Sequence, residues 1–240
     1  MSVFSLKKAG ATPVYSLRAL AHLLGYPNAA LRDTLPDLQK ALISEAAVDE
    51  SRLRGLSKLI GSLIDQDVFE TEQAYVELFD KGRSTSLHLF EHVHGDSRDR
   101  GPAMIDLVKT YEQAGLMLDP TKVGGELPDY LPVVLEFVST LKAEQMRDFI
   151  GEIAHILNAV HTALIKRRSL YAHVLAAVLE IGQQKVETVD VPDDEDLDAA
   201  WAEPEAFGGC SSKGQSSPDQ PQPIQIVRRN ATSAQRGASA

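Results

Sequence analysis

With 240 residues, 43% of them hydrophobic, the chain can bury one sizeable core, and its length fits one domain with extensions better than two full domains. A formal charge of −10 argues against a nucleic-acid partner, because a phosphate backbone demands clustered Lys and Arg to displace its counterions. The single cysteine, Cys210, excludes an internal disulfide framework and any zinc site built from several thiolates.

From the N-terminus, Met1–Lys8 holds too short an apolar run for a secretory signal. Apolar residues then recur at spacings of three and four, one face of a 3.6-residue period. Val14, Leu17, Leu20, Ala21 and Leu24 form the first stripe, stopped by Gly25 and Pro27. Leu31, Leu35, Leu38, Leu42 and Ile43 form a second, with Pro36 either in a first turn or splitting it. A third stripe runs from Leu53 to Ile64 with Asp49 or Ser51 as N-cap, and a fourth carries Val68, Tyr75, Leu78 and Phe79.

The polar stretch 80–84 interrupts the pattern before a short apolar run from Leu87 to Val93. Caps between Asp96 and Asp99, with Pro102 in a first turn, announce a helix that buries Met104, Leu107, Val108 and Tyr111 and ends at Gly115. Residues 116–132 are irregular, broken by Pro120, Gly124, Gly125, Pro128 and Pro132. Helix resumes from Tyr130 to Phe137, where Asp129 is a candidate cap. The longest stripe follows, from Met146 to Leu164, with Lys166, Arg167 and Arg168 at the negative end of its dipole. Ser169 reads as the N-cap of a last helix through Val174, Leu175, Val178 and Ile181. No sustained period-two alternation points to a sheet. The expected class is all-α: one multi-helix bundle over residues 1–186.

Residues 187–240 differ in kind. They carry −6 of the net charge, and positions 187–207 hold nine acids and no Lys or Arg. Positions 208–240 are rich in Gly, Ser, Pro and Gln, so the tail is expected to be disordered, because it cannot bury enough apolar surface to offset chain entropy. Trp201, with Leu197 and Phe207, and the run Pro223–Val227 are apolar islands within it, and Cys210 reads as an exposed thiol. No stretch reaches the roughly 18 consecutive apolar residues of a membrane span, so the expected compartment is the cytoplasm.

Chemical motifs are sparse. There is no G-x-S-x-G nucleophile elbow, and Gly124-Gly125 lacks the context of a phosphate loop. The sharpest cluster is His88, Glu91, His92, His94 and Asp96. If helical, His88 and His92 share a face at a spacing used by metal sites, yet the H-E-x-x-H order is missing and Phe90 and Val93 interleave. Structural hydrogen bonding or partner contact is the preferred reading, with no metal and no cofactor. A metal-dependent helical enzyme using His88, His92 and His94 stays open as an alternative. His155, His161 and His173 read as structural or surface histidines.

Three stretches together resemble the NarJ-type branch of the redox-enzyme maturation chaperones. They are the aromatic segment Tyr75–Asp80, the His-rich block Ser86–Gly101, and Glu126–Pro132 followed by Leu135, Glu136 and Phe137. In the last, Tyr130 stands where the wider superfamily has histidine in its Pro-Asp-His segment. The resemblance covers about residues 12–185. It implies an all-helical chaperone without catalytic activity. Such a chaperone binds the N-terminal segment of the nitrate reductase catalytic subunit, holds it for molybdenum-cofactor insertion, and delays its docking to the membrane anchor. The complex would be transient; a permanent structural subunit of the reductase is the alternative. An amphipathic target helix fits an apolar groove between helices. Candidate residues of that peptide-binding groove are Tyr75, His88, Phe90, His92, Asp129 and Tyr130, while Leu78 and Phe79 read as core.

Overall fold

The computed structural model describes residues 13–95, 97–119 and 125–191. Cys210, Trp201 and the run 223–227 lie outside the described residues, as does all of the expected tail beyond Val191. Nine α-helices are present among the described residues: α1 Val14–Leu23, α2 Ala29–Glu45, α3 Glu50–Asp65, α4 Val68–Phe79, α5 Leu89–His94, α6 Arg100–Gln113, α7 Leu131–Ser139, α8 Ala143–Lys166 and α9 Ala172–Ile181. No described residue belongs to a strand; the one strand-like element is an isolated antiparallel bridge between His88 and Tyr130.

The helix starts follow from polar caps. Asn28, Asp49 and Asp67 each accept a first-turn backbone N–H through the side chain, satisfying donors that have no partner inside the helix. Pro36 neither starts nor splits α2 but sits within it. Pro36 is exposed, and α2 as a whole buries only Leu35 and Leu42, so a missing ladder bond is tolerated there. Arg32 of α2 donates to the carbonyls of Ile64 and Gln66 and so closes the C-terminal end of α3. Ser169 does not cap α9. It opens a turn, accepting the Tyr171 N–H through its hydroxyl and the Ala172 N–H through its carbonyl, and the helix begins three residues on.

α9 is the centre of the bundle. Ala172, Ile181 and every residue from Val174 to Leu179 are buried, the mark of a helix surrounded on all sides. α8 packs along it, with α3 and α1 on its other flanks, while α1 is further covered by α2 and α7. Leu17, Leu20 and Leu24 meet Val134, Leu135 and Val138 in this core, and Leu157, Val160 and Leu164 of α8 complete it. α6 stands apart. Only Tyr111 is buried on it, whereas Met104, Leu107 and Val108, expected in the core, are half-buried.

The α8–α9 hairpin is tight enough to require glycine at its end. A Cβ on Gly182 would lie 2.3 Å from Ile150 Cγ2 although the backbone there is ordinary helix, with φ −71°. Gly182→Ala is expected to cost about 1–3 kcal/mol through overpacking. Urea unfolding of the full chain measures it.

Candidate functional site

Two of the three motif stretches meet at one carboxylate, and the first joins them through the Tyr75–Tyr130 hydroxyl contact. Asp129 has no solvent exposure, and its Oδ2 accepts the Phe90 N–H at 2.9 Å while Oδ1 lies 3.3 Å from His88 Nδ1. Arg100 adds positive charge, its Nη2 being 4.0 Å from Oδ2 and 3.3 Å from Glu91 Oε1. Asp129 therefore does not cap α7, whose N-cap is Tyr130 with no side-chain bond. The carboxylate instead accepts an N–H that has no partner within α5 at the start of that helix, where an anion is favoured. The bridge does the rest: the Leu89 N–H donates to the Asp129 carbonyl at 3.1 Å, and the Leu131 N–H to the Leu87 carbonyl at 2.8 Å.

Around this junction Tyr130 stacks obliquely on His88, with ring centroids 5.3 Å apart. Its hydroxyl lies 3.2 Å from that of Tyr75, which donates at 2.7 Å to the Leu24 carbonyl. Tyr111 reaches in from α6 to donate to the Pro128 carbonyl at 2.8 Å. Burial holds the Tyr75, Tyr111 and Tyr130 phenols in their neutral form, raising each above its ordinary value. His92 turns elsewhere. Its Nε2 is 2.9 Å from the Ser86 carbonyl, an acceptor only, so this nitrogen carries the proton.

Of the six candidate residues, Tyr75, His88, Phe90, Asp129 and Tyr130 are thus drawn into one connected cluster, and His92 joins through Ser86. Their exposure differs: Asp129 and Tyr75 are buried, the others half-buried. His88 lies before α5 rather than on it, so it shares no helical face with His92. His94 packs its ring against Phe90 instead. Among the described residues no three His, Cys, Asp or Glu side chains are placed to hold a metal ion.

A groove opens beside this cluster, and the sequence offered no single motif for it. Its volume is about 760 Å³, and it runs between α6 and the corner where α7 meets α8. The floor is apolar: Phe90 at one edge, then Leu107, Phe137, Leu141, Phe149 and Ile153. The exposed carboxylates of Asp106, Asp148 and Glu152 line it as well, with Thr110, Gln113 and Gln145. No sequence signal marked it: the α6 stripe reads as core, and only its half-buried state in the folded chain leaves a trough beside it.

Two outcomes follow for the cluster. Asp129→Asn is expected to lower the unfolding free energy by about 1–3 kcal/mol, since the Phe90 N–H and His88 lose a charged acceptor. His88 has its pKa raised, chiefly by the hydrogen bond to Asp129 and against a desolvation that lowers it. Its contribution to stability is therefore complete below about 6.5, the value for free histidine, and is lost as pH rises through the higher folded value. The stability difference between the parent chain and His88→Gln should shrink across that window. Denaturant titrations at stepped pH read it out.

Residues 27–177 match the family described as nitrate reductase delta subunit. The chain is 36% identical over 194 residues to the nitrate reductase molybdenum cofactor assembly chaperone NarJ of Escherichia coli (strain K12), covering 77% of this chain and 80% of that protein. It is 36% identical over 168 residues to the Bacillus subtilis (strain 168) protein assigned the same role, covering 68% of this chain and 86% of that one. A crystal structure of an Archaeoglobus fulgidus protein assigned to redox enzyme maturation superposes with a TM-score of 0.51 at 15% identity, spanning 76% of this chain and 99% of that one, which shows a shared fold. The family match over most of the chain and these relatives establish the assignment: the chain belongs to the nitrate reductase delta subunit family of NarJ-type assembly chaperones and not to a family of enzymes.

Proposed function

We propose that the chain is a cytoplasmic chaperone that captures the N-terminal segment of a nitrate reductase catalytic subunit in the α6–α8 groove. There it holds the subunit for molybdenum-cofactor insertion and then leaves. The observation that carries this reading is the pairing of an apolar floor with acidic side chains beside the family's motif cluster. An amphipathic helix lays its apolar face on such a floor, and basic residues flanking that face meet Asp106, Asp148 and Glu152.

Within this reading the six candidate residues divide. Phe90 is the one that lines the groove. Asp129 fixes the Phe90 backbone and so the groove's edge, while Tyr75 braces Tyr130, one half of the strand-like bridge, through their hydroxyls. His88 and His92 hold the entry to α5. The mixed lining supports a transient complex: half-buried aromatics and exposed carboxylates favour specific but releasable contact over the drier surface of a permanent subunit. No described helix is long and apolar enough to cross a membrane.

Calorimetric titration with a synthetic peptide from the start of the cognate catalytic subunit tests it. Binding is expected for the parent chain. The charge reversals Asp148→Lys and Glu152→Lys, both at exposed positions, should each weaken it by about tenfold with unchanged melting. Absence of binding, or reversals that leave affinity intact, would sink the groove assignment.

A further inference from the structure

After α9 the chain turns back at Gln183, whose φ of 57° is left-handed, and residues 185–191 run along α8. Asn158 grips this segment first: its Nδ2 donates to the Lys185 carbonyl at 3.2 Å and its Oδ1 accepts the Glu187 N–H at 2.8 Å. Thr162 Oγ1 accepts the Val189 N–H at 3.2 Å, and Lys166 Nζ donates to the Val191 carbonyl at 2.6 Å. The three α8 residues are spaced by four, a rise of about 6 Å. The residues from 187 to 191 that they hold are spaced by two, about 6.6 Å in extended chain. That near-match lets one helix face hold alternate residues of a strand. The Asn158 amide, donor and acceptor together, stands where a neighbouring strand's backbone would be.

Backbone groups of an extended segment alternate sides. With residues 185, 187, 189 and 191 turned toward α8, the N–H and C=O of Val186, Thr188 and Asp190 face away, and none of the three makes a backbone–backbone hydrogen bond among the described residues. All three residues are exposed, Val186 by 38%. Val and Thr suit a pleated strand. No Pro or Gly interrupts the run 184–191 to blunt the edge as natural edge strands are blunted.

We propose that this outward edge, residues 186–190, is a docking edge that adds one extended basic segment of a partner protein by strand pairing. Main-chain bonds would supply the affinity, and the conformational cost on this side is already met by the grip of α8. Charge selects the partner. Glu187 and Asp190 both lie within the edge and are exposed, so lysines or arginines are favoured opposite. A second copy is disfavoured, since self-pairing would crowd the acidic residues of both copies onto one short ribbon. This edge shares no residue with the α6–α8 groove, and either surface can fail its test without the other.

Amide hydrogen exchange followed by NMR on the full chain provides the test. In the free protein the amides of Glu187 and Val189 should exchange more slowly than those of Val186, Thr188 and Asp190. A six-residue peptide alternating Lys and Val should slow the outward three at least tenfold, and the matching Glu/Val peptide should not. Thr188→Pro deletes the central outward donor while leaving all four bonds to α8, so it should abolish that protection without changing the melting temperature. If that variant melts early, Glu187→Lys with Asp190→Lys serves instead and should reverse the peptide preference. Protection that survives Thr188→Pro, equal response to both peptides, perturbation confined to Asp106, Asp148 and Glu152, or concentration-dependent protection without peptide would each overturn the proposal.

Discussion

A carboxylate removed from water sets the conditions for everything around it. Asp129 is fully buried, and a buried charge persists only when it is hydrogen-bonded and paired. Its two oxygens reach the Phe90 N–H and His88, with Arg100 near enough to offset the charge. Each of those partners belongs to the His-rich block, whereas Asp129 belongs to the Pro-bounded corner before α7. Satisfying one carboxylate therefore forces two segments about forty residues apart in sequence into fixed register, and the His88–Tyr130 bridge records that register in the backbone.

The groove depends on the same junction. α5 is a short helix, too brief to hold itself in place by its own ladder. Its start is held by Asp129, its neighbour α6 is tied through Tyr111 to the Pro128 carbonyl, and α7 leaves the junction in a direction set by the Leu87–Leu131 bond. Phe90, Leu107 and Phe137 are thereby presented to one trough without being closed into the core. A second staple acts on the opposite side of the block. Arg167, just past α8, donates to the Leu78 carbonyl and the Thr85 hydroxyl, and Gly82 leaves room for its guanidinium.

Much of the fold was legible because helices are local. Stripes such as Leu17–Leu20–Leu24 and Ile150–Leu157–Leu164 repeat at the helical period whatever they pack against, and Asp49 announces its helix by chemistry confined to one turn. Where expectation and structure part, a non-local partner is the cause. Asp129 looked like a cap because it precedes a helix, yet its carboxylate serves a helix elsewhere in the chain. His88 and His92 looked like a facing pair because they are four apart, yet the bridge to Tyr130 draws His88 out of the helix. Leu107 and Val108 looked like core because they lie on a stripe, but no helix closes over them.

The amino-acid sequence by itself determined the all-helical class, the order of the elements, the main core stripes and, through three motif blocks, the family. Each of these is written in residues that are neighbours along the chain, or in a pattern long enough to be specific. Only the tertiary structure decided which polar groups meet. It chose Asp129 over its neighbours as the buried hub, left a groove beside α6, and laid residues 185–191 on Asn158, Thr162 and Lys166. Those outcomes turn on distances between segments far apart in the chain, and a one-dimensional pattern of hydrophobic and polar residues carries no record of such distances.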